Sequence, residues 1–476
     1  MTDKIDALFI NVPSSFNAYA GSKLHAGMQI YPLLAYANLA AVLREKGAKV
    51  RILDLGLDGT FDKLVPTLKE TQPRFIGVTC TTPLFHEAAE ISRVARKMFG
   101  KDVLLVIGGP HASALPEEAL KESEFDIAVI GEGEIAIAEI WDGNPWSGIN
   151  GIYYKENGKI TATPQRDLIK DLDSLPMPAL DLYDTQYYMC SKSFSRESPV
   201  TNLETSRGCP AKCSFCNKNI SGRKYRVKSA RRVVDEIKMM LKLGYKEMRV
   251  IDDQFCADKK HARETCELIL KENLKFPWSL AAGIRVNNAD LELFKLAKKA
   301  GCYQMGIGFE SGDQASLDSI DKDIKLEQSI RCMEIVKKAG IESIGFFMFG
   351  LPADTEESMN KTIKFAKRLM PDLAKVTITM PFPGTKLFDQ YEKAGAIKTR
   401  DWRMYNFHRA GDIYTHPHLS FETMTKYYNR FYREFYLSPR YLANRLVKSI
   451  ARFRVHRDFY YFLQTFFPKL MPHKKA

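Results

Sequence analysis

Short apolar runs alternate with amphipathic stretches along residues 1–140. Runs at 7–12, 50–55, 75–80, 103–107 and 127–130 read as buried parallel strands, because their apolar character is continuous rather than alternating. Stretches 32–46, 60–70, 84–99 and 116–122 read as the helices between them. This alternation predicts an α/β fold, a doubly wound Rossmann-like sheet. Ligands on such sheets bind at the carboxyl ends of the strands. Those ends carry Asn11-Val12-Pro13-Ser14-Ser15, Thr79-Cys80-Thr81-Thr82-Pro83, Gly108-Gly109-Pro110-His111 and Gly131-Glu132-Gly133-Glu134. No GxGxxG follows the first strand, so a dinucleotide is a poor fit. The loops are rich in small and hydroxyl residues, which allow a large flat ligand to approach the backbone. In isolation, Gly108-Gly109 also fits an ordinary tight turn.

Residues 148–163 predict a β-hairpin around Glu156-Asn157-Gly158. The Pro-rich link Leu175-Pro176-Met177-Pro178 follows and predicts a domain boundary. From Val200 the alternation resumes. Strands are expected at 200–205, 247–251, 279–282, 304–309, 343–349 and 375–380, with helices at 231–242, 261–271, 289–299, 326–338 and 356–369. Six βα units are too few for an eight-unit barrel and predict a partial (β/α)6 barrel, with functional residues at the strand ends. Those ends hold Asp252-Asp253, Gly283-Ile284-Arg285, Gly308-Phe309-Glu310-Ser311-Gly312, Gly350-Leu351-Pro352 and Pro381-Phe382-Pro383-Gly384. Neighbouring strand residues point to opposite faces, so at most one of Asp252 and Asp253 faces the barrel mouth. Glu310, between small residues, is placed to accept hydrogen bonds from a ligand. Arg285 suits a carboxylate through its planar fork, and a structural salt bridge fits it as well. The chain divides into 1–147, a hairpin and linker at 148–190, 191–395, and a helical region at 396–476.

The loop after the first barrel strand changes the picture. Thr205-Ser206-Arg207-Gly208-Cys209-Pro210-Ala211-Lys212-Cys213-Ser214-Phe215-Cys216 places three thiols in CxxxCxxC spacing, with Phe215 before the last. Structural zinc takes four ligands, usually as two CxxC-type pairs, and no second pair exists. Cysteine thiolates are the usual ligands of iron–sulfur clusters, and four close a cubane. Three point to a 4Fe–4S cluster with one iron open to a ligand. Cys256, Cys266, Cys302 and Cys332 have no paired spacing and read as buried thiols, as does Cys80.

The cysteine loop resembles that of the radical S-adenosylmethionine (SAM) enzymes. With the strand-end loops of the N-terminal third, the chain resembles the cobalamin-binding radical SAM proteins over roughly its first 395 residues. The resemblance implies an N-terminal cobalamin-binding domain and a radical SAM barrel. In that family the open iron chelates SAM, and an electron from the cluster cleaves SAM to methionine and a 5′-deoxyadenosyl radical. It assigns Cys209, Cys213 and Cys216 to the cluster. Phe215, Asp253, Arg285, Glu310 and Ser311 are then SAM contacts: Glu310 for the ribose or amino group, Arg285 for the carboxylate. Ser14, Thr79, Thr81, Thr82, Gly108, Gly109, His111, Glu132 and Gly133 are cobalamin contacts. The Asp-x-His-x-x-Gly loop that puts histidine on cobalt is missing, since neither His25 nor His111 has an Asp two residues before it. Cobalamin bound without a protein histidine is one expectation; a domain that kept its fold and lost the cofactor is the other. His111 is then a loop or tail contact. The activity implied is C-methylation of an unactivated carbon. A radical cyclisation or rearrangement without methyl transfer shares every motif, and an iron–sulfur electron carrier or sensor is the non-enzymatic alternative.

Composition adds limits. Hydrophobic residues at 45% and charged residues at 27% describe ordinary globular domains. Nine unevenly spread cysteines do not form a disulfide framework and fit a reducing, cytoplasmic setting. The stretch MTDKIDALFINV has no secretory h-region after a basic start, and no apolar run of about 18 residues occurs, so neither a leader nor a membrane-spanning helix is expected. The net charge of +13 is most visible near the C-terminus, so nucleic acid is not the expected partner. Expected partners are a small-molecule or lipid substrate and a reductant such as flavodoxin or ferredoxin. Residues 396–476 interleave aromatic pairs with Arg and Lys, and 439–464 read as an amphipathic helix. It is either a cap packing on the barrel or a peripheral membrane contact.

Overall fold

The computed structural model describes residues 4–13, 31–189, 195–406, 409–451 and 455. Ser14 and His25 lie outside the described residues.

The first sheet has seven strands: β1 (Ala7–Asn11), β2 (Val50–Asp54), β3 (Phe75–Thr79), β4 (Leu104–Gly108), β5 (Ile127–Val129), β6 (Ile152–Glu156) and β7 (Lys159–Ala162). Their order is β2-β1-β3-β4-β5-β6-β7. The first five run parallel, with Ala7 opposite both Val50 and Phe75. Alternate residues face opposite sides. Leu8 and Ile10 join one core, and Ala7 and Phe9 the other, so helices bury both faces. The strand order reverses between β1 and β3, the switch point where ligands of such sheets bind.

The expected hairpin forms, but it is not a free connector. β6 pairs antiparallel with β5 and extends the sheet by two strands. The segment after the Pro-rich link also packs back on this domain. The Tyr188 hydroxyl bonds Asp54 at 2.8 Å, and that of Tyr183 bonds the Leu33 carbonyl at 3.0 Å.

The second sheet uses β8 (Val200–Leu203), then, after a short antiparallel ribbon of β9 (Ser206–Arg207) and β10 (Arg226–Val227), β11 (Glu247–Val250), β12 (Trp278–Ile284), β13 (Cys302–Glu310), β14 (Glu342–Phe349) and β15 (Leu373–Ile378). Its order, β15-β14-β13-β12-β11-β8, is that of six consecutive parallel βα units.

β15 is an end strand of this sheet, and exposed strand edges invite unwanted pairing. Helix Phe421–Tyr436 covers it. The Tyr436 hydroxyl accepts from the Ala374 amide at 3.0 Å and donates to its carbonyl at 2.8 Å; Tyr432 bridges Val376 in the same way at 3.3 Å. Phe431 packs on Phe347 and Phe349. The aromatic pairs up to Tyr436 therefore serve a cap. The next helix, Pro439–Ala451, carries the described part of the expected amphipathic stretch.

Candidate functional site

The cysteine loop leaves β8 and is fixed at its base by Asp252, at the end of β11. This carboxylate accepts from the Thr205 amide at 2.7 Å, the Thr205 hydroxyl at 2.5 Å and the Ser206 hydroxyl at 2.7 Å. Burial raises its pKa to about 6 against those donors. Asp253 points the other way: its Oδ2 accepts the Gly208 amide at 3.1 Å, and Lys218 stands 3.5 Å from Oδ1. Adjacent acids thus brace the loop from two sides. Gly208 has φ +87, and a Cβ there would strike the Lys224 carbonyl, so only glycine suits the turn before Cys209.

Cys209 and Cys213 are buried and Cys216 is half-buried; none is in a disulfide. Cations stand beside them. Arg285 Nη1 lies 3.4 Å from Cys213 Sγ, while its Nη2 donates to the Lys322 carbonyl at 2.5 Å. Burial pushes the Cys216 thiol up, and the Lys218 ammonium opposes that shift. Among the described residues no three His, Cys, Asp or Glu side chains converge as a single metal ion would require. A cubane binds each cysteine at a different iron, so its thiolates stand wider apart than the ligands of one ion.

Glu310 ends β13 at φ +58, after a register shift between Gly308 and Glu310. It is buried and paired to Lys322 at 2.6 Å. Lys322 Nζ in turn sits 6.0 Å from the Phe215 ring centroid. Phe215, Arg285, Glu310 and the cysteine loop are therefore neighbours, with Lys322 joining them. Sequence inspection passed over Lys322, which lies in the turn after a short helix with no motif around it. Ser311, expected as a SAM contact, is anchored within the protein. Its hydroxyl is fully buried, 3.0 Å from that of Thr362, and accepts the Asp313 amide at 3.1 Å, so it anchors the loop to helix Glu356–Leu369.

On the first sheet, Gly108 ends β4 with bare backbone; a Cβ there would meet only the Val129 carbonyl at 3.8 Å. Gly109 has φ +87 and packs on Thr79, where a Cβ would overlap the hydroxyl. Thr81 is exposed at this end, whereas Thr82 is buried, with its hydroxyl 3.4 Å from His111 Nδ1. Gly133 packs on Leu39. His111, expected as a loop or tail contact, is enclosed by aromatic rings. It is fully buried, stacked on Phe85 at 4.2 Å and edge-on to Trp402 at 5.8 Å, and burial lowers its pKa to about 3. Trp402 comes from the segment after the barrel, which reaches back and bonds Glu118 at 2.6 Å.

Glu132, expected as a cobalamin contact, has protein partners. Both its oxygens are taken: Oε1 by Arg207 at 3.2 Å and Arg226 at 2.8 Å, Oε2 by Arg226 at 2.9 Å and the Ile169 amide at 2.8 Å. Glu134 pairs with Arg207 at 2.6 Å, and Glu204 with the same arginine at 2.8 Å. The Gly-Glu-Gly-Glu turn after β5 is thus a buried ionic clamp on the segment entering Cys209. Asn219 bonds the Ser113 carbonyl at 3.4 Å, and Gly384 lies against Ala114, Asn217 and Asn219. The carboxyl ends of the two sheets face each other through these contacts.

Comparison with known proteins agrees with this layout. The Radical SAM superfamily pattern matches residues 203–366 and the B12 binding domain pattern matches residues 26–141. An uncharacterized methyltransferase of Pyrococcus horikoshii is 34% identical over 419 residues, covering 86% of this chain and 89% of the relative. The anaerobic magnesium-protoporphyrin IX monomethyl ester cyclase of Rubrivivax gelatinosus is 30% identical, covering 74% of this chain and 64% of the relative. Among solved structures, the cobalamin-dependent SAM radical enzyme OxsB with aqua-cobalamin bound superposes with a TM-score of 0.74 at 17% identity, over 99% of this chain and 74% of that one. The radical SAM methyltransferase TsrM of Kitasatospora setae gives 0.68 at 20% identity, over 83% and 77%. At such identities the structures speak for the fold. The chain belongs to the cobalamin-binding radical SAM family, enzymes whose cofactors are a 4Fe–4S cluster, SAM and cobalamin.

Proposed function

We propose that this enzyme transfers a methyl group to an unactivated carbon of a small-molecule or lipid substrate. The observation that carries the reading is the meeting of the two sheets at their carboxyl ends, through Arg207 with Glu132 and Glu134 and through Asn219 with Ser113. Methyl transfer needs a hydrogen-abstracting centre and a methyl donor at one substrate, and this arrangement turns both cofactor ends toward a shared space.

Cys209, Cys213 and Cys216 hold the cluster. Their loop fits it: the thiols are unbridged, and the Arg285 and Lys218 cations favour the thiolate. Arg285, Glu310 and Phe215 position SAM, with Lys322 orienting Glu310 at 2.6 Å and Asp253 holding the loop. Gly108, Gly109, Thr79, Thr81 and Gly133, with Ser14, form the cobalamin side; the bare Gly108 backbone fits close approach by a flat ring. No histidine is assigned to cobalt, and the His111 ring is held between Phe85 and Trp402. When bound, the cluster and SAM supply a radical that removes hydrogen, and cobalamin supplies the methyl group. A flavodoxin or ferredoxin delivers the electron, in the cytoplasm.

The cyclase relative favours a second reading, radical ring formation without methyl transfer. One experiment separates them. The reconstituted enzyme is incubated anaerobically with methyl-deuterated SAM, a reductant, cobalamin and metabolite extract from a deletion strain. Methyl transfer places the label in a product. Formation of 5′-deoxyadenosine with a new but unlabelled product would establish the second reading instead.

A further inference from the structure

Helix Pro439–Ala451 has three faces. At 3.6 residues per turn, Leu442, Ala443, Leu446, Val447 and Ile450 form one continuous row about 140° wide. The large members are 41%, 54%, 66% and 58% exposed for Leu442, Leu446, Val447 and Ile450. Tyr441 and Ser449 face inward, and the Tyr441 hydroxyl bonds the Asp372 carbonyl at 2.9 Å. Between these faces runs a polar row, Arg440, Asn444 and Lys448, at four-residue spacing. It borders a concavity that also takes in Lys337, Gly340 and Asp372.

Charge in that concavity is unbalanced. Three cations, Lys337, Arg440 and Lys448, surround one carboxylate, Asp372, which Lys448 engages at 2.6 Å. Burial first, and then the charges of Lys448 and Arg440, lower the Lys337 pKa, as expected of crowded cations. The sequence adds Arg452, Arg454 and Arg457 directly afterwards. The preceding helix differs: its aromatics are occupied on β14 and β15.

We propose that helix Pro439–Ala451 docks this enzyme on an anionic lipid bilayer. The exposed apolar row enters the boundary between headgroups and acyl chains, Arg440 beside that row faces lipid phosphates, and the positive concavity behind it adds attraction at longer range. An exposed apolar row flanked by cations is the pattern of helices that lie in a membrane interface. Positive charge beside the row fits a negative headgroup layer and would repel a second copy of the same basic surface. The proposal is independent of whether the chemistry is methyl transfer or ring formation.

The test uses the full chain with its cluster reconstituted anaerobically. It is sedimented with vesicles of phosphatidylcholine alone or mixed with phosphatidylglycerol. The expected result is co-sedimentation with the mixed vesicles at low salt, weak binding to phosphatidylcholine, and release at high salt, because screening shortens charge attraction. Leu446→Glu should weaken binding roughly tenfold or more, and Arg440→Glu should weaken it on anionic vesicles only. SAM cleavage should be unchanged in both variants, which shows that they fold. Failure to bind anionic vesicles at low salt overturns the proposal, as does equal binding by Leu446→Glu. Binding that appears only after removal of residues 456–476 would show that the chain's own end covers the row, and also overturns it. So does a dimer lost in Leu446→Glu when vesicles are not bound.

Discussion

Removing the Arg207 guanidinium should loosen the join between the two sheets by a predictable amount. Arg207 is buried and meets three carboxylates: Glu132 and Glu134 from the first sheet, Glu204 from its own. Two of these have another cation, Arg226 for Glu132 and Lys228 for Glu204. Among the described residues Glu134 has Arg207 as its ion-pair partner. Burial would raise the Glu204 carboxyl, and the charges of Arg207 and Lys228 outweigh it and hold the pKa low. Arg207→Met therefore strands Glu134 in a buried position. Breaking a buried pair from one side destabilises by about 3–5 kcal/mol. Glu134→Leu leaves Arg207 two carboxylates and should cost about 1.5–3 kcal/mol, the worth of a charged hydrogen bond. In the double variant neither charge is stranded, so its loss should fall short of the sum by about 2 kcal/mol. Urea unfolding of the reduced protein, followed by tryptophan fluorescence and compared at equal m-value, measures each term. Additive losses, or a loss below about 1 kcal/mol for Arg207→Met, would refute the clamp.

Alanine at Cys209, Cys213 or Cys216 should abolish cluster absorbance and SAM cleavage, whereas Cys332→Ala, at a buried thiol outside the loop, should leave both; an intact cluster in Cys213→Ala would sink the assignment. Glu310→Gln and Lys322→Met should each weaken SAM binding by roughly tenfold or more, the loss of a charged hydrogen bond, with iron content near normal; equilibrium dialysis against labelled SAM reads this, and unchanged binding would make the pair purely structural. The folded pKa of His111, about 3, lies below its unfolded value of 6.5, so its contribution is complete above pH 6.5 and is lost as pH falls toward 3. At pH 5 that loss is about 2 kcal/mol, and His111→Phe should flatten the acid limb of a urea-midpoint profile; a variant with the same acid limb as the parent would show that the ring is not a buried neutral base.

Much of this fold was legible because its strands bury both faces. Continuous runs such as Leu8-Phe9-Ile10 and Ile76-Gly77-Val78 fall inside strands β1 and β3. The cysteine loop was legible because its three thiols are local, within eight residues. Contacts formed across the sequence were not. The hairpin was seen from its turn residues, but its pairing with β5 depends on a sheet edge that sequence does not display. Lys322 lies 12 residues beyond Glu310, with no periodicity linking them.

The acids after β5 show why a loop motif leaves roles open. Gly131-Glu132-Gly133-Glu134 stands at a carboxyl end, so a ligand contact was the natural expectation. Two sheets facing each other change the choice. A loop at such a junction has both a cofactor and the opposite polypeptide within reach, and the residue types suit either. Glu132 lies 75 residues from Arg207 and 94 from Arg226, and all three are buried. A buried carboxylate without a cation is costly, so once those arginines arrive both acids are committed to them. Small residues are not committed in this way. Gly108 keeps its bare backbone whichever partner arrives. Along this rim, then, Gly108 keeps open backbone, and the charged residues fix the distance between the two sheets.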